Sequence, residues 1–382
     1  MGKKLPKQVK KQLINILFLV LLVGITILVL ALSYRELNFG SIWEFLSGCN
    51  PWWIVAAFIA MLLFVVFEAL SLHFILRGLG EKPKFRSSLV YSTSDVYYSA
   101  ITPSASGGQP ASAYYMMKDG IGAGKSSFAL VYNLIAYTAA IIVIGALAFA
   151  IRPGFFGMID NWFVHLLIIL GFVLQGLLLG FFIACMFCGR AVLKFGNGII
   201  TLLVKIHIVK KPDKWREKLK TEVEKYKDCR HALREHPGMS FANFFFNLAQ
   251  RLSHVLTAAF VCLAVVPHAD FFDLFVFEAF VLVGYNSVPL PGGVGAFEFL
   301  YLNIYSLAFF DGAFVLAAAT MGLSQEAFIL AAMMVSRVIS YYLRMILCGV
   351  YTLVYHVRLM RRSPKKNDIG EETNGEGQEG ET

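Results

Sequence analysis

Arg251 lies inside a long apolar run, and Asn243, Asn247, Gln250 and His254 flank it at steps of three or four residues. On a helix such spacing puts all five side chains on one face. The same spacing recurs in Arg337, Ser340, Tyr341 and Arg344, in Ser92, Asp95 and Ser99, and in Asn133 with Tyr137. Glu68, Glu278 and Glu298 add carboxylates to equally apolar surroundings. An ionised group in hydrocarbon costs several kcal/mol unless it meets a partner or water, so these residues are expected to wall a polar chamber. Arginine offers a planar fork to phosphate oxygens, and a carboxylate can accept an ammonium. Asp95, Glu278 and Glu298 could also carry protons. Interhelical ion pairs are the competing reading, Arg337 with Glu298 above all, and snorkelling is the alternative for Arg344. His73 and His254 read as packing residues.

Two glycine- and proline-rich breaks must position these groups. They are Thr102-Pro-Ser-Ala-Ser-Gly-Gly-Gln-Pro110 and Pro289-Leu-Pro-Gly-Gly-Val-Gly295, each between two short apolar arms. Backbone that is not helical at membrane depth is tolerated only inside protein or beside a wet cavity. Paired breaks of this kind mark transporter sites, where half-helix N-termini can hold an anion. Two ordinary structural turns are the alternative.

The rest of the chain is membrane-like. Of 382 residues, 57% are hydrophobic and only 15% charged, where ordinary domains carry about 25% charged residues. A spanning helix takes about 20 apolar residues. Residues 13–32, 52–76, 128–151, 162–187, 241–266 and 327–355 meet that length, which predicts six spans. The first is read as an uncleaved span rather than a signal peptide. Basic residues segregate: 29 of the 34 Lys and Arg fall in loops assigned to one side, taken as cytoplasmic together with both termini. With that count, residues 87–117 must enter and leave from the cytoplasm and residues 271–310 from outside. The expected fold is therefore all-α and polytopic, with six spans and two opposed re-entrant hairpins, an arrangement open to an inverted pseudo-repeat. Residues 1–356 form one membrane domain, and 357–382 a disordered tail rich in Gly and Glu. Within the domain, residues 189–240 form a basic amphipathic segment in which Trp215, Leu219, Val223 and Tyr226 recur at helical spacing. Its position beside the membrane favours anionic lipid over nucleic acid.

Common catalytic signatures are missing. Asp119-Gly-Ile-Gly-Ala-Gly-Lys-Ser126 lacks the first glycine of a P-loop and follows no strand. Cys185 and Cys188 form a lone C-x-x-C at the end of an apolar helix, where packing outweighs redox work. No metal site, cofactor or catalytic residue is expected.

Pro103-Ser-Ala-Ser-Gly-Gly-Gln-Pro-Ala-Ser-Ala-Tyr-Tyr115, then Pro289-Leu-Pro-Gly-Gly-Val-Gly-Ala-Phe-Glu298 and a last span containing Arg337, resemble the lysylphosphatidylglycerol synthase transmembrane family, the flippase half of the bacterial multiple peptide resistance factor. The resemblance covers roughly residues 10–355. It implies transfer of an aminoacylated phosphatidylglycerol, such as the lysyl form, from the inner to the outer leaflet of a bacterial plasma membrane, where it repels cationic peptides. Carried over, Ser104, Gly107 and Gly108 of the first motif, Pro291, Gly292, Gly293 and Glu298 of the second, and Arg337 would line the lipid path. Asp95, Ser106, Gln109, Asn133, Asn247, Arg251, Glu278 and Tyr341 complete the expected cavity. Many relatives carry an acidic residue where this chain has Gln109, an Arg near Ala111 to Ala113, and an Arg where it has Asn133. Full-length relatives make the lipid with a soluble C-terminal domain, which this chain is not expected to contain. A phosphatidylglycerol lysyltransferase role with a separate soluble aminoacyltransferase partner is the second reading, and a small-solute secondary transporter the third.

Overall fold

The computed structural model describes residues 39–102, 105–187, 212–288, 291–310 and 312–362, with scattered positions between 193 and 204. The expected first span at 13–32 and residues 363–382 of the expected tail lie outside the described residues, whereas 357–362, expected to be disordered, continue the last helix. All regular structure among the described residues is helical. The order is α1 (Phe39–Ser47), α2 (Pro51–Gly78), α3 (Phe85–Ile101), α4 (Gly108–Lys118), α5 (Ala123–Ile151), α6 (Trp162–Phe187), α7 (Pro212–Glu235), α8 (Pro237–Val265), α9 (Phe271–Tyr285), α10 (Ala296–Tyr305), α11 (Gly312–Thr320), α12 (Gln325–Arg337) and α13 (Arg344–Arg362). Five long apolar helices meet the spanning test, namely α2, α5, α6, α8 and the run Gln325–Leu359. These match the five expected spans that fall on described residues. The chain is a polytopic membrane protein.

Local chemistry starts these helices where the sequence places caps. Asn50 accepts the Trp52 amide at 3.0 Å ahead of Pro51, Asp270 accepts the Phe272 amide at 2.8 Å, and Ser324 accepts the Ala327 amide at 3.2 Å. The last span is less regular than its apolar pattern suggests. A π-helical segment, Val338–Leu343, separates α12 from α13, and such bulges often mark functional positions in helices.

α2 and α8 form the antiparallel centre. The Asn50 amide donates to the Ala264 carbonyl at 2.7 Å at one end. At the other, Gly78 lies against Leu233 and Met239. Two apolar cores stack along this pair. One gathers Met61, Val255, Phe280, Phe297 and Phe328, and the other Leu72, Tyr91, Phe128 and Leu233. Between them lies a polar layer, at Glu68 and Ser71 of α2 and at Asn243 to His254 of α8. In a 28-residue helix Glu68 is close to half depth.

The two broken segments fold as helical hairpins, α3 with α4 and α9 with α10. The first follows the C-terminus of α2 and the second the C-terminus of α8, and those termini lie at opposite ends of the antiparallel pair. The hairpins are therefore opposed. α7 differs in part from a helix lying only on a lipid surface: Cys229 and Leu233 are buried, and the Tyr226 ring meets Phe128 edge-on at 5.3 Å. Its apolar face packs on the protein, while Trp215 remains exposed.

α6 carries exposed Ile169, Val173, Leu177 and Phe181, as expected of a lipid-facing helix. Its inner face depends on Gly171, where an added Cβ would lie 2.2 Å from the Val283 carbonyl oxygen of α9. Small residues permit such close approach between membrane helices. Gly171→Val should lower the thermal midpoint of the purified protein by several degrees, because backbone cannot rotate away as a side chain can. Gly176→Val, on the same helix with nothing within 4 Å, should leave the midpoint unchanged.

Candidate functional site

The first break is held by its own residues. The Thr102 hydroxyl donates to the Tyr98 carbonyl at 2.6 Å and accepts the Gly107 amide at 2.8 Å. Ala105 takes a left-handed conformation (φ 52°), the only non-glycine to do so among the described residues. Ala105 and Ser106 are exposed at the tip, whereas Gly108 is buried against Asp95 and Ser99. Asp95 receives the Gln109 amide at 2.7 Å and the Ser99 hydroxyl at 3.2 Å. Gln109 donates this bond as a neutral amide, which an acidic residue at position 109 could do only when protonated. Pro103 and Ser104 lie outside the described residues.

The second break turns through Gly292 (φ 61°), Gly293 (φ 64°) and Gly295 (φ 86°), conformations that glycine alone adopts cheaply. Glu298 accepts the Gly295 amide at 2.6 Å and so caps α10. Arg337 donates to the Gly292 carbonyl at 2.6 Å, and its Nε lies 3.3 Å from Glu298 Oε1 as an ionic contact. Arg337 thus staples the turn, and the ion pair named as the alternative in the sequence is present. Pro291 belongs to the same turn, while Pro289 and Leu290 lie outside the described residues.

Tyr341 joins the two breaks. A Cβ on Gly292 would meet its ring at 2.5 Å, and its hydroxyl donates to the Ala100 carbonyl, at the end of α3, at 3.0 Å. The opposed hairpins meet near their tips, and this side chain bridges them.

Beside this junction lie two further arginines. The guanidinium of Arg251 stands 4.7 Å from the Phe64 ring centroid and 4.2 Å from that of Tyr137, and Arg344 stands 4.0 Å from the same Phe64 ring. Arg251 is 6% exposed, and its Nε has no hydrogen-bond partner among the described residues. Among the described residues the one ion pair at this depth is Arg337 with Glu298; Arg251 and Arg344 have none. Contact with a ring is worth about 2 kcal/mol or more to a desolvated guanidinium, and it offsets only part of the several kcal/mol that burial of an ion costs. The pair therefore has unused capacity for an anion. His254 packs edge-on to Phe64 at 6.1 Å and meets the Tyr285 hydroxyl at 3.2 Å, with Nδ1 unpartnered.

A carboxylate lies one helical turn from Phe64. Glu68 Oε2 receives the Ser92 hydroxyl at 3.1 Å and the Gln250 amide at 3.0 Å. Glu68 and Asp95 are neighbours, and both lie within electrostatic reach of Arg251 without pairing with it. Asn133 and Asn247 are gathered elsewhere. With Ser71 and Asn243 they form a closed knot between α2, α5 and α8, in which the Asn243 and Asn247 amides each donate to Asn133 Oδ1 at 2.9 Å. Those four residues bond chiefly to one another, as interhelical glue. Glu278 is also apart, buried within α9 and accepting the Tyr305 hydroxyl at 3.3 Å.

Phe64 and Tyr285 have no place in the sequence reading. Phe64, Glu68 and Ser71 follow one another at helical steps of four and three, which was the available signal for Phe64. In the P-loop-like stretch, Asp119 accepts the Tyr91 hydroxyl at 2.7 Å and the Tyr355 hydroxyl at 2.9 Å, as a structural latch. No cluster able to hold a metal occurs among the described residues.

A family profile described as the lysylphosphatidylglycerol synthase TM region matches residues 16–348. No curated protein and no solved structure matches the chain.

Proposed function

We propose, from the premise that this chain belongs to the lysylphosphatidylglycerol synthase transmembrane family, that it carries an anionic or aminoacylated phospholipid between the leaflets of a bacterial plasma membrane. The family ties the chain to membrane lipid, and the buried arginines support the finer reading. One observation carries it: Arg251 and Arg344 flank Phe64 at half depth without a carboxylate partner. A lipid phosphate fits that pair, because each guanidinium offers a donor fork and the surroundings exclude water. Glu68 and Asp95 stand where an ammonium on the same headgroup could be received, which suits phosphatidylglycerol esterified with lysine. The acyl chains would stay in the bilayer while the headgroup crosses between the hairpin tips, past Tyr341. Moving such lipid outward lowers the negative surface charge and so contributes to resistance against cationic peptides. A separate soluble aminoacyltransferase would supply the lipid, and both termini of the chain would lie in the cytoplasm.

The test is leaflet accessibility in liposomes. Fluorescent phosphatidylglycerol and its lysyl ester should exchange at least tenfold faster with the protein than without it, and a neutral lipid with the same chains should gain far less. Equal rates in protein-free vesicles would end the proposal. Uptake of soluble amino acids or sugars with no lipid exchange would favour a small-solute transporter, and formation of lysyl ester by the purified chain would favour the lysyltransferase.

A further inference from the structure

At the end of the molecule opposite α7, a cavity of about 450 Å3 opens between the end of α5, the start of α9 and the turn after α10. Small-ligand sites run roughly from 300 to 1,000 Å3. Its walls are apolar, with Phe155, Leu274, Phe277 and Phe314 facing the space, and its mouth is charged. There Arg152 donates through Nη2 to Asp270 and through Nε to Asp273, each at 2.6 Å. Asp270 is fully engaged, since its other oxygen caps α9 at the Phe272 amide. Among the described residues Asp273 is engaged through Oδ1 alone. The two carboxylates raise the Arg152 pKa, Asp273 foremost, so the guanidinium stays charged. Among the described residues, one positive charge against two negative ones leaves the mouth at a net of one negative. Arg152, Asp270 and Asp273 are 44%, 44% and 40% exposed, so a ligand can reach them.

We infer that this cavity binds a cationic amphiphile, with a primary ammonium on Asp273 and an alkyl chain among the phenylalanines. The sign follows from the count of charges. An anionic head would compete with two carboxylates for an arginine that both already hold, whereas an ammonium adds a bond to Asp273 without breaking one. A neutral head gains the apolar contacts alone. The site stands apart from the Arg251 chamber and does not depend on its role.

The experiment is photolabelling of the full chain in nanodiscs. Three probes share one diazirine-bearing alkyl chain and differ in their heads, which are a primary amine, a hydroxyl and a carboxylate. Peptide mapping should place the amine probe on residues 151–158, 270–277 or 307–314, at least fivefold above either of the others. Asp273→Asn should erase the preference for the amine, with the thermal midpoint held as a check on folding. Gly154→Trp should abolish labelling there by all three, because Gly154 lines the cavity with nothing within 4 Å of an added Cβ. Arg251→Gln should leave the labelling unchanged. Equal labelling by the three heads, preference for the carboxylate, or labelling confined to other segments would overturn the inference.

Discussion

Arg251→Gln is expected to lower protein-dependent exchange of phosphatidylglycerol at least tenfold, to the rate of protein-free vesicles, without lowering the thermal midpoint. The two halves of that result belong together. A buried arginine that held the fold by an ion pair would, when replaced, strand a carboxylate and cost about 3–5 kcal/mol. Arg251 has no partner at ion-pair distance, and Glu68 and Asp95, which feel its charge, keep their own donors in Ser92, Gln250, Gln109 and Ser99, so its removal breaks no direct ion pair. The midpoint should hold. Transport loses the donor fork for the phosphate, and glutamine brings no charge in return. Arg251→Lys should recover part of the rate, since it restores the charge but not the planar fork. Arg344→Gln should weaken exchange in the same sense, while Arg337→Gln should chiefly destabilise, because Arg337 already binds Gly292 and Glu298. Unchanged exchange in the Arg251 variant would remove this residue from the lipid path.

Gly108→Ala is expected to cost about 3 kcal/mol and to abolish exchange as well. An added Cβ would lie 1.9 Å from Asp95 Oδ1, 2.0 Å from Ser99 Oγ and 2.7 Å from the Asp95 carbonyl oxygen. The side chains could turn aside, but the carbonyl belongs to α3, so α3 and α4 must separate. Overpacking of this kind costs roughly 1–3 kcal/mol in a well-packed interior, and here it also breaks the bonds from Gln109 and Ser99 to Asp95. The measurement is the thermal midpoint in detergent beside the exchange rate in liposomes. Gly176→Ala, in open space on α6, is the control and should change neither. A Gly108→Ala protein with the wild-type midpoint and rate would show that α3 and α4 are not packed this tightly in the membrane.

Tyr341 ties the two breaks together. Its ring packs on Gly292 of one hairpin and its hydroxyl bonds the backbone of the other, so each break fixes the position of its counterpart. Either break by itself would leave unpaired backbone at half depth, which lipid does not tolerate.

The sequence by itself determined the membrane class, the five described spans and the two opposed hairpins, because hydrocarbon thickness and unsatisfied backbone leave few other solutions for such a pattern. It also determined which helix faces are polar, since the spacing of Asn243 to His254 and of Ser92 to Ser99 is a property of the helix alone. Tertiary structure decided what those faces meet. Asn133 and Asn247 share their faces with Tyr137 and Arg251, yet the crossing of α2, α5 and α8 ties the asparagines into a knot and leaves the arginine to the rings of Tyr137 and Phe64. Arg337 and Arg344 look alike along the chain, but one binds Glu298 and the other shares a ring with Arg251. The partner of a buried charge depends on helices far apart in sequence, and helical periodicity carries no information about that distance.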